Sequence, residues 1–199
     1  MGFRIVLILT LFLSTQAFAD LSPSNPSING TGQVLPADTI ELGILSNHYG
    51  LNEDWMLQLP SAAALVGYAR AEVRRRFRLD ASQRISPYVF GETPKKFGFG
   101  GDYGFDFGDS RSHSLNVGAR AQFTQRLESS SSGPRKRLHT IVLPNLEYDY
   151  YGRGNVFYAG IADYLPYFGH TWSFAFWNIG LIAGPYTSMI PLPYVYIRF

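Results

Sequence analysis

Cysteine is absent from all 199 residues, which excludes disulfide staples, thiolate nucleophiles and cysteine-held metals together. Charge is sparse. Asp, Glu, Lys and Arg make up 16% of the chain and balance to a net +2, which gives no pull towards nucleic acid. No apolar run nears the ~20 residues a spanning helix needs. The spacing of His and acidic residues matches no metal motif, and no glycine-rich phosphate loop opens a helix, so neither metal nor cofactor is expected.

What the chain has in quantity is Gly (20), Phe (15) and Tyr (13), a mixture suited to strands joined by tight turns. The first 19 residues, MGFRIVLILTLFLSTQAFA, stand apart. Arg4, an apolar stretch from Ile5 to Leu13, and Ala17-Phe18-Ala19 before Asp20 are the parts of a cleaved secretory signal. Residues 20–37, DLSPSNPSINGTGQVLPA, read as a flexible leader, and 38–199 as one domain.

Within that domain the period is two. In FGFGGDYGFDFGD, Phe97, Phe99, Tyr103, Phe105 and Phe107 share one parity, while Gly98, Gly100, Asp102, Gly104, Asp106 and Gly108 share the other. Side chains of a strand alternate between faces, so this ribbon is greasy on one side and small and acidic on the other. The stretches LVGYARAEVRRRFRL and LNVGARAQFTQRLE repeat the pattern with arginines on the polar face. A soluble sandwich alternates too, so periodicity alone leaves both architectures open. Large aromatics near strand ends and charges of both signs on the opposite parity favour a closed antiparallel transmembrane β-barrel, all-β and joined by short turns. Ten strands are expected, at 38–48, 53–60, 65–79, 83–92, 97–108, 113–127, 138–150, 155–165, 171–183 and 188–199. An eight-strand count that merges or discards two of them stays open.

The chain ends YVYIRF, with Phe199 terminal and Val195 and Ile197 on its parity. This resembles the C-terminal signal of bacterial outer-membrane barrels, with Ile197 where that family usually has Tyr. Tyr49-Gly50-Leu51-Asn52-Glu53-Asp54 resembles the Y-G-L-T-D hairpin of uncharacterised transporter-like barrels of the same membrane. The resemblance implies a Gram-negative outer-membrane location, recognition of the last strand by the barrel-assembly machinery, and lipopolysaccharide as a neighbour.

A barrel of this size has an interior that side chains nearly fill, and charges buried there must pair. A lumen network is therefore expected among Glu41, Arg70, Glu72, Arg74 and Arg76, with Asp102, Asp106, Arg120, Arg126, Glu147 and Asp149. The role that follows is structural, or that of a narrow porin-like channel. Arg75 falls on the lipid parity near a strand end, where it reaches headgroups. In the ten-strand topology that end is extracellular, where lipopolysaccharide phosphates accept it. Two further readings stay open. One is a lipid-modifying enzyme with Ser46, His48 and His113 as weak catalytic candidates on one rim; the other is a soluble ligand-binding sandwich.

Overall fold

The computed structural model describes residues 33–43, 46–61, 64–65, 69–93, 95–128, 135–174, 177–184 and 189–199. The expected secretory signal, and the leader before Gln33, lie outside these residues.

The strands are β1 (Ile40–Gly43), β2 (Ser46–Gly50), β3 (Trp55–Pro60), β4 (Arg70–Arg75), β5 (Phe77–Arg78), β6 (Gln83–Glu92) and β7 (Lys96–Phe107). They continue with β8 (His113–Glu128), β9 (Arg135–Gly152), β10 (Asn155–Ala162), β11 (Leu165–Phe174), β12 (Trp177–Ala183) and β13 (Leu192–Arg198). Each pairs antiparallel with its neighbour along the chain, and β13 returns to β1 with Glu41 opposite Arg198. β4 and β5 both pair with β6 and are interrupted only at Arg76, so they form one broken strand. The thirteen segments thus form a closed ring of twelve strands. Closure removes every sheet edge that would otherwise be bare in an apolar medium, and it rules out the sandwich.

The expected count of ten is corrected in two places. The stretch 38–48 holds β1 and the start of β2, two strands paired antiparallel, rather than one. The stretches 155–165 and 171–183 hold three strands, not two. There the β10–β11 turn sits on Asp163 and Tyr164, both at positive φ (56° and 67°). That is the twist a tight hairpin needs and which Asn-Gly usually supplies, so nothing glycine-rich marks it.

The rings at Phe97, Phe99, Tyr103, Phe105 and Phe107 face outward, each 38–56% exposed. They belong to a belt that includes Val73, Val89, Val117, Leu146, Phe157 and Ile179. So large a continuous apolar surface marks contact with a partner or a membrane. The small parity of the same strand faces the lumen, where each glycine lies directly opposite a large side chain. Gly100 pairs with Tyr88 and Gly104 with Arg84; Gly169 pairs with Tyr158, Gly180 with Tyr194 and Gly43 with Tyr196. In every one of these pairs a Cβ on the glycine would collide with its partner's side chain. The missing side chains let rings and guanidinium groups lie flat along the wall.

Both ends of the barrel domain meet at one rim, the entry end, where Ile40 N–H donates to Phe199 O (3.0 Å) and Phe199 N–H to Ile40 O (2.9 Å). The turns after β2, β5, β7, β9 and β11 lie at this end, and those after β1, β3, β6, β8, β10 and β12 at the far end. The β8–β9 hairpin outruns its neighbours. β7 reaches only Thr124 and β10 only Asn145, so residues beyond these form a two-stranded ribbon standing above the far rim.

Candidate functional site in the barrel lumen

The buried charges among the described residues line the lumen. On β4 the inward parity presents Arg70, Glu72 and Arg74. Arg70 bonds Glu72 (2.6 Å) and pairs with Glu92 (3.5 Å), while Arg74 bridges Glu72 (2.9 Å) and Asp102 (2.5 Å). Asn145 donates to the other oxygen of Asp102 (3.1 Å) and carries the chain of contacts to β9. The Arg74 guanidinium lies 4.2 Å over the Tyr88 ring and that of Arg70 lies 4.4 Å over Phe90. Three of these five charged groups, Glu72, Arg74 and Asp102, are buried, and each has an opposite charge beside it, which makes burial tolerable.

A second cluster sits nearer the entry end. Arg84 bonds Asp106 (2.6 Å), Ser114 (2.8 Å) and Asn116 (2.7 Å), and Asn116 donates to Asp149 (3.1 Å). A third closes the seam, where Arg198 and Asn178 donate to the fully buried Glu41. Opposite the charges lies a wall of tyrosines. Tyr167 donates to Glu147, Tyr194 bonds Thr171, and Tyr158 donates to Tyr194 (3.3 Å).

Of the residues read from sequence as a lumen network, Glu41, Arg70, Glu72, Arg74, Asp102, Asp106, Glu147 and Asp149 thus lie in these clusters. Arg120 pairs with Asp163 at the far rim (2.5 Å). Arg76 reaches the Glu53 carbonyl and lies 4.0 Å from Asp54 at the entry mouth. Arg126 stands apart: it is exposed on the ribbon, opposite Arg137. Sequence reading missed Arg84, Glu92, Asn116, Asn145, Asn178, Tyr194 and Arg198. Parity alone could have found them, since each alternates with outward-facing neighbours such as Ile85, Val195 and Ile197.

The three weak catalytic candidates do not come together. Ser46 Oγ and His48 Nε2 are 3.2 Å apart, but both are buried inside the lumen. His113 is on the outer parity at the entry end, with Nδ1 2.7 Å from Tyr148 Oη and its ring stacked 5.2 Å from Phe107. The expectation that they share a rim is therefore corrected. Ser46 starts a strand descending from the far end, while His113 starts one rising from the entry end. Arg75 is outward, its guanidinium 4.3 Å over Phe77 and 5.1 Å over Trp55. It lies at the entry end, not at the far end where ten strands would have put it.

The entry mouth is crossed by the chain itself. Gln33, Val34 and Leu35 are 3%, 0% and 0% exposed, so the end of the leader is packed protein rather than free chain. Val34 and Leu35 cluster with Met56 of β3, and the Gln33 amide donates to Tyr151 Oη (3.4 Å) and Ser114 Oγ (3.5 Å) on β9 and β8. Beside this crosspiece a cavity of about 490 Å³ remains, lined by Arg76, Arg78, Arg84, Asp106 and Arg111.

No family model matches the chain, and no curated protein matches it. Among solved structures, the porin NanC in a rhombohedral crystal form is similar, with a TM-score of 0.51 at 10% identity, over 81% of this chain and 98% of that one. The chain is thus a closed antiparallel β-barrel with a porin-like fold.

Proposed function

We propose that this chain is a channel-type barrel of the bacterial outer membrane whose charged lumen is largely filled, so that it serves as a scaffold or passes only small solutes. The paired network Glu92–Arg70–Glu72–Arg74–Asp102, which runs along the lumen face of the neighbouring strands β4, β6 and β7 and is continued to β9 by Asn145, carries this reading. A wide aqueous pore has no need to neutralise its own charges in this way. The outer apolar belt fits lipid, and the even number of strands puts both termini on one side, as in single-chain bacterial barrels. With the entry end in the periplasm, the β8–β9 connection carrying SSSSGPRKR departs from the extracellular end, where long loops are usual. Ten strands would put that segment on the opposite side.

In this orientation Val195, Ile197 and Phe199 present the assembly signal to the barrel-assembly machinery from the periplasm. Lipopolysaccharide surrounds the far rim. Arg75, at the entry end, meets phospholipid headgroups of the inner leaflet, with Trp55 and Phe77 as its interfacial aromatics. The test is planar-bilayer recording on the refolded chain. Small, infrequent steps are expected, and large open-pore steps comparable with those of a wide porin would overturn the filled lumen.

A further inference from the structure

Residues 33–36 occupy a place that a flexible leader has no reason to take. In the ring of twelve, β2 and β3 lie four to six strands away from β8 and β9, and the segment touches both sides. At one side Val34 and Leu35 pack on Met56, Asp38 N–H donates to Gly50 O (2.9 Å), and Gly50 N–H donates to Thr39 O (2.8 Å). At the other, Gln33 reaches Ser114 and Tyr151. The chain therefore spans the bore from wall to wall. Gly50 gives it room: a Cβ there would run into the backbone carbonyl of Pro36, so the inward-facing position on β2 must be bare for the segment to lie where it does. Two apolar side chains with no exposed surface, in a mouth otherwise lined by charge, are held by burial, which strengthens with each apolar group covered.

We propose that Gln33–Pro36 is a built-in plug, a peptide strap bound in its own site at the entry mouth, which seals the lumen from that side. The site takes an extended segment with a polar residue followed by two aliphatic ones. The Gly50 notch and Met56 receive the aliphatic half and the backbone, and Ser114 and Tyr151 receive the amide. The closed state of the proposed channel rests on this strap in addition to the charge layers further in.

The absence of cysteine makes the test direct, because a single Ser114→Cys introduces the only thiol, beneath the strap. In the full refolded chain in detergent micelles, this thiol is expected to resist a bulky water-soluble maleimide. Two variants release the strap from opposite sides: Gly50→Leu fills the notch, and Val34→Ser with Leu35→Ser removes the apolar grip. Either should speed labelling at least ~tenfold while heat-modifiable migration shows the barrel still folded. Equal labelling rates in folded variants would overturn the strap. The same variants in planar bilayers separate this inference from the channel reading on which the word "plug" rests. Faster labelling with larger currents supports both. Faster labelling with unchanged currents keeps the strap as a cover and removes the channel. Unchanged labelling removes the strap whatever the currents do.

Discussion

Arg198, the last residue but one, donates from Nε to Glu41 near the start of the first strand at 2.8 Å, inside the lumen. The two are also register partners across β1 and β13. The bond therefore ties the seam that makes the sheet a ring. Glu41 has no exposed surface, so removing its partner strands a buried carboxylate. Arg198→Ala is expected to cost about 3–5 kcal/mol, read as a lower urea midpoint in vesicles. Glu41→Gln, which keeps a hydrogen-bond acceptor and sheds the charge, should cost clearly less.

The Arg74 layer makes a sharper comparison. Arg74→Ala leaves the buried Asp102 without its cation and Glu72 with Arg70 alone, for an expected loss of about 3–5 kcal/mol. The triple variant Arg74→Met, Glu72→Gln, Asp102→Asn removes the charges together and is expected to recover most of that loss. If the triple proves as unstable as the single, the layer's contribution lies in packing rather than charge. Chemical denaturation of both in one lipid decides it.

Gly100 and Tyr88 form a size-matched pair. A Cβ on Gly100 would fall 2.6 Å from Tyr88 Cζ. Gly100→Val should therefore cost about 1–3 kcal/mol by overpacking. Combining it with Tyr88→Ser should give less than the sum of the single losses, because the collision with the ring disappears and only that with the Ala119 carbonyl remains. A double-mutant cycle measures that coupling.

On the outside, Arg75 is expected to act through lipid. Arg75→Glu should lower the unfolding midpoint in vesicles rich in phosphatidylglycerol by an amount equivalent to about 1 kcal/mol. In phosphatidylcholine, where only the stacking on Trp55 and Phe77 is lost, the change should be smaller. Equal effects in both lipids would assign Arg75 to aromatic stacking alone.

Asp80 supplies a pH dependence at the entry rim. Its carboxylate accepts from Ser82 N–H (2.6 Å) and Oγ (2.9 Å) and from Gln83 N–H (2.7 Å) and Nε2 (2.8 Å). These bonds hold its pKa below the ordinary aspartate value, the Ser82 backbone bond foremost. A depressed carboxylate stabilises fully above the unfolded value of about 3.9 and loses its effect as pH falls through the folded one. Proteolytic nicking of the 79–83 turn should therefore rise only at acid pH, and Asp80→Ala should show the raised rate at neutral pH.

The outer and inner faces were legible from alternation alone because the two media on either side of the wall select opposite side chains. Phe97 to Phe107 on β7 and Arg70 to Arg75 on β4 illustrate this. Strand number was not legible where turns lack turn chemistry. Asp163-Tyr164 supports a two-residue bend through backbone geometry, and TIELGILSNH is shared between the paired strands β1 and β2. That error of two strands reversed the rim assigned to Arg75 and to SSSSGPRKR. The strap was illegible for another reason. Gln33-Val34-Leu35-Pro36 carries no period, and its partners lie as far as 118 residues away. Only the closed ring brings them within reach.

The paired amides of Ile40 and Phe199 have a consequence for engineering. Because the chain begins and ends its circuit on adjacent rungs, a short linker could join those ends and a hairpin elsewhere could be cut. The rearranged polypeptide would keep every rung while moving the terminal aromatic into the middle of the sequence. Whether such a permuted barrel still inserts in cells would test the proposed assembly signal at the last residue apart from its place in the finished wall.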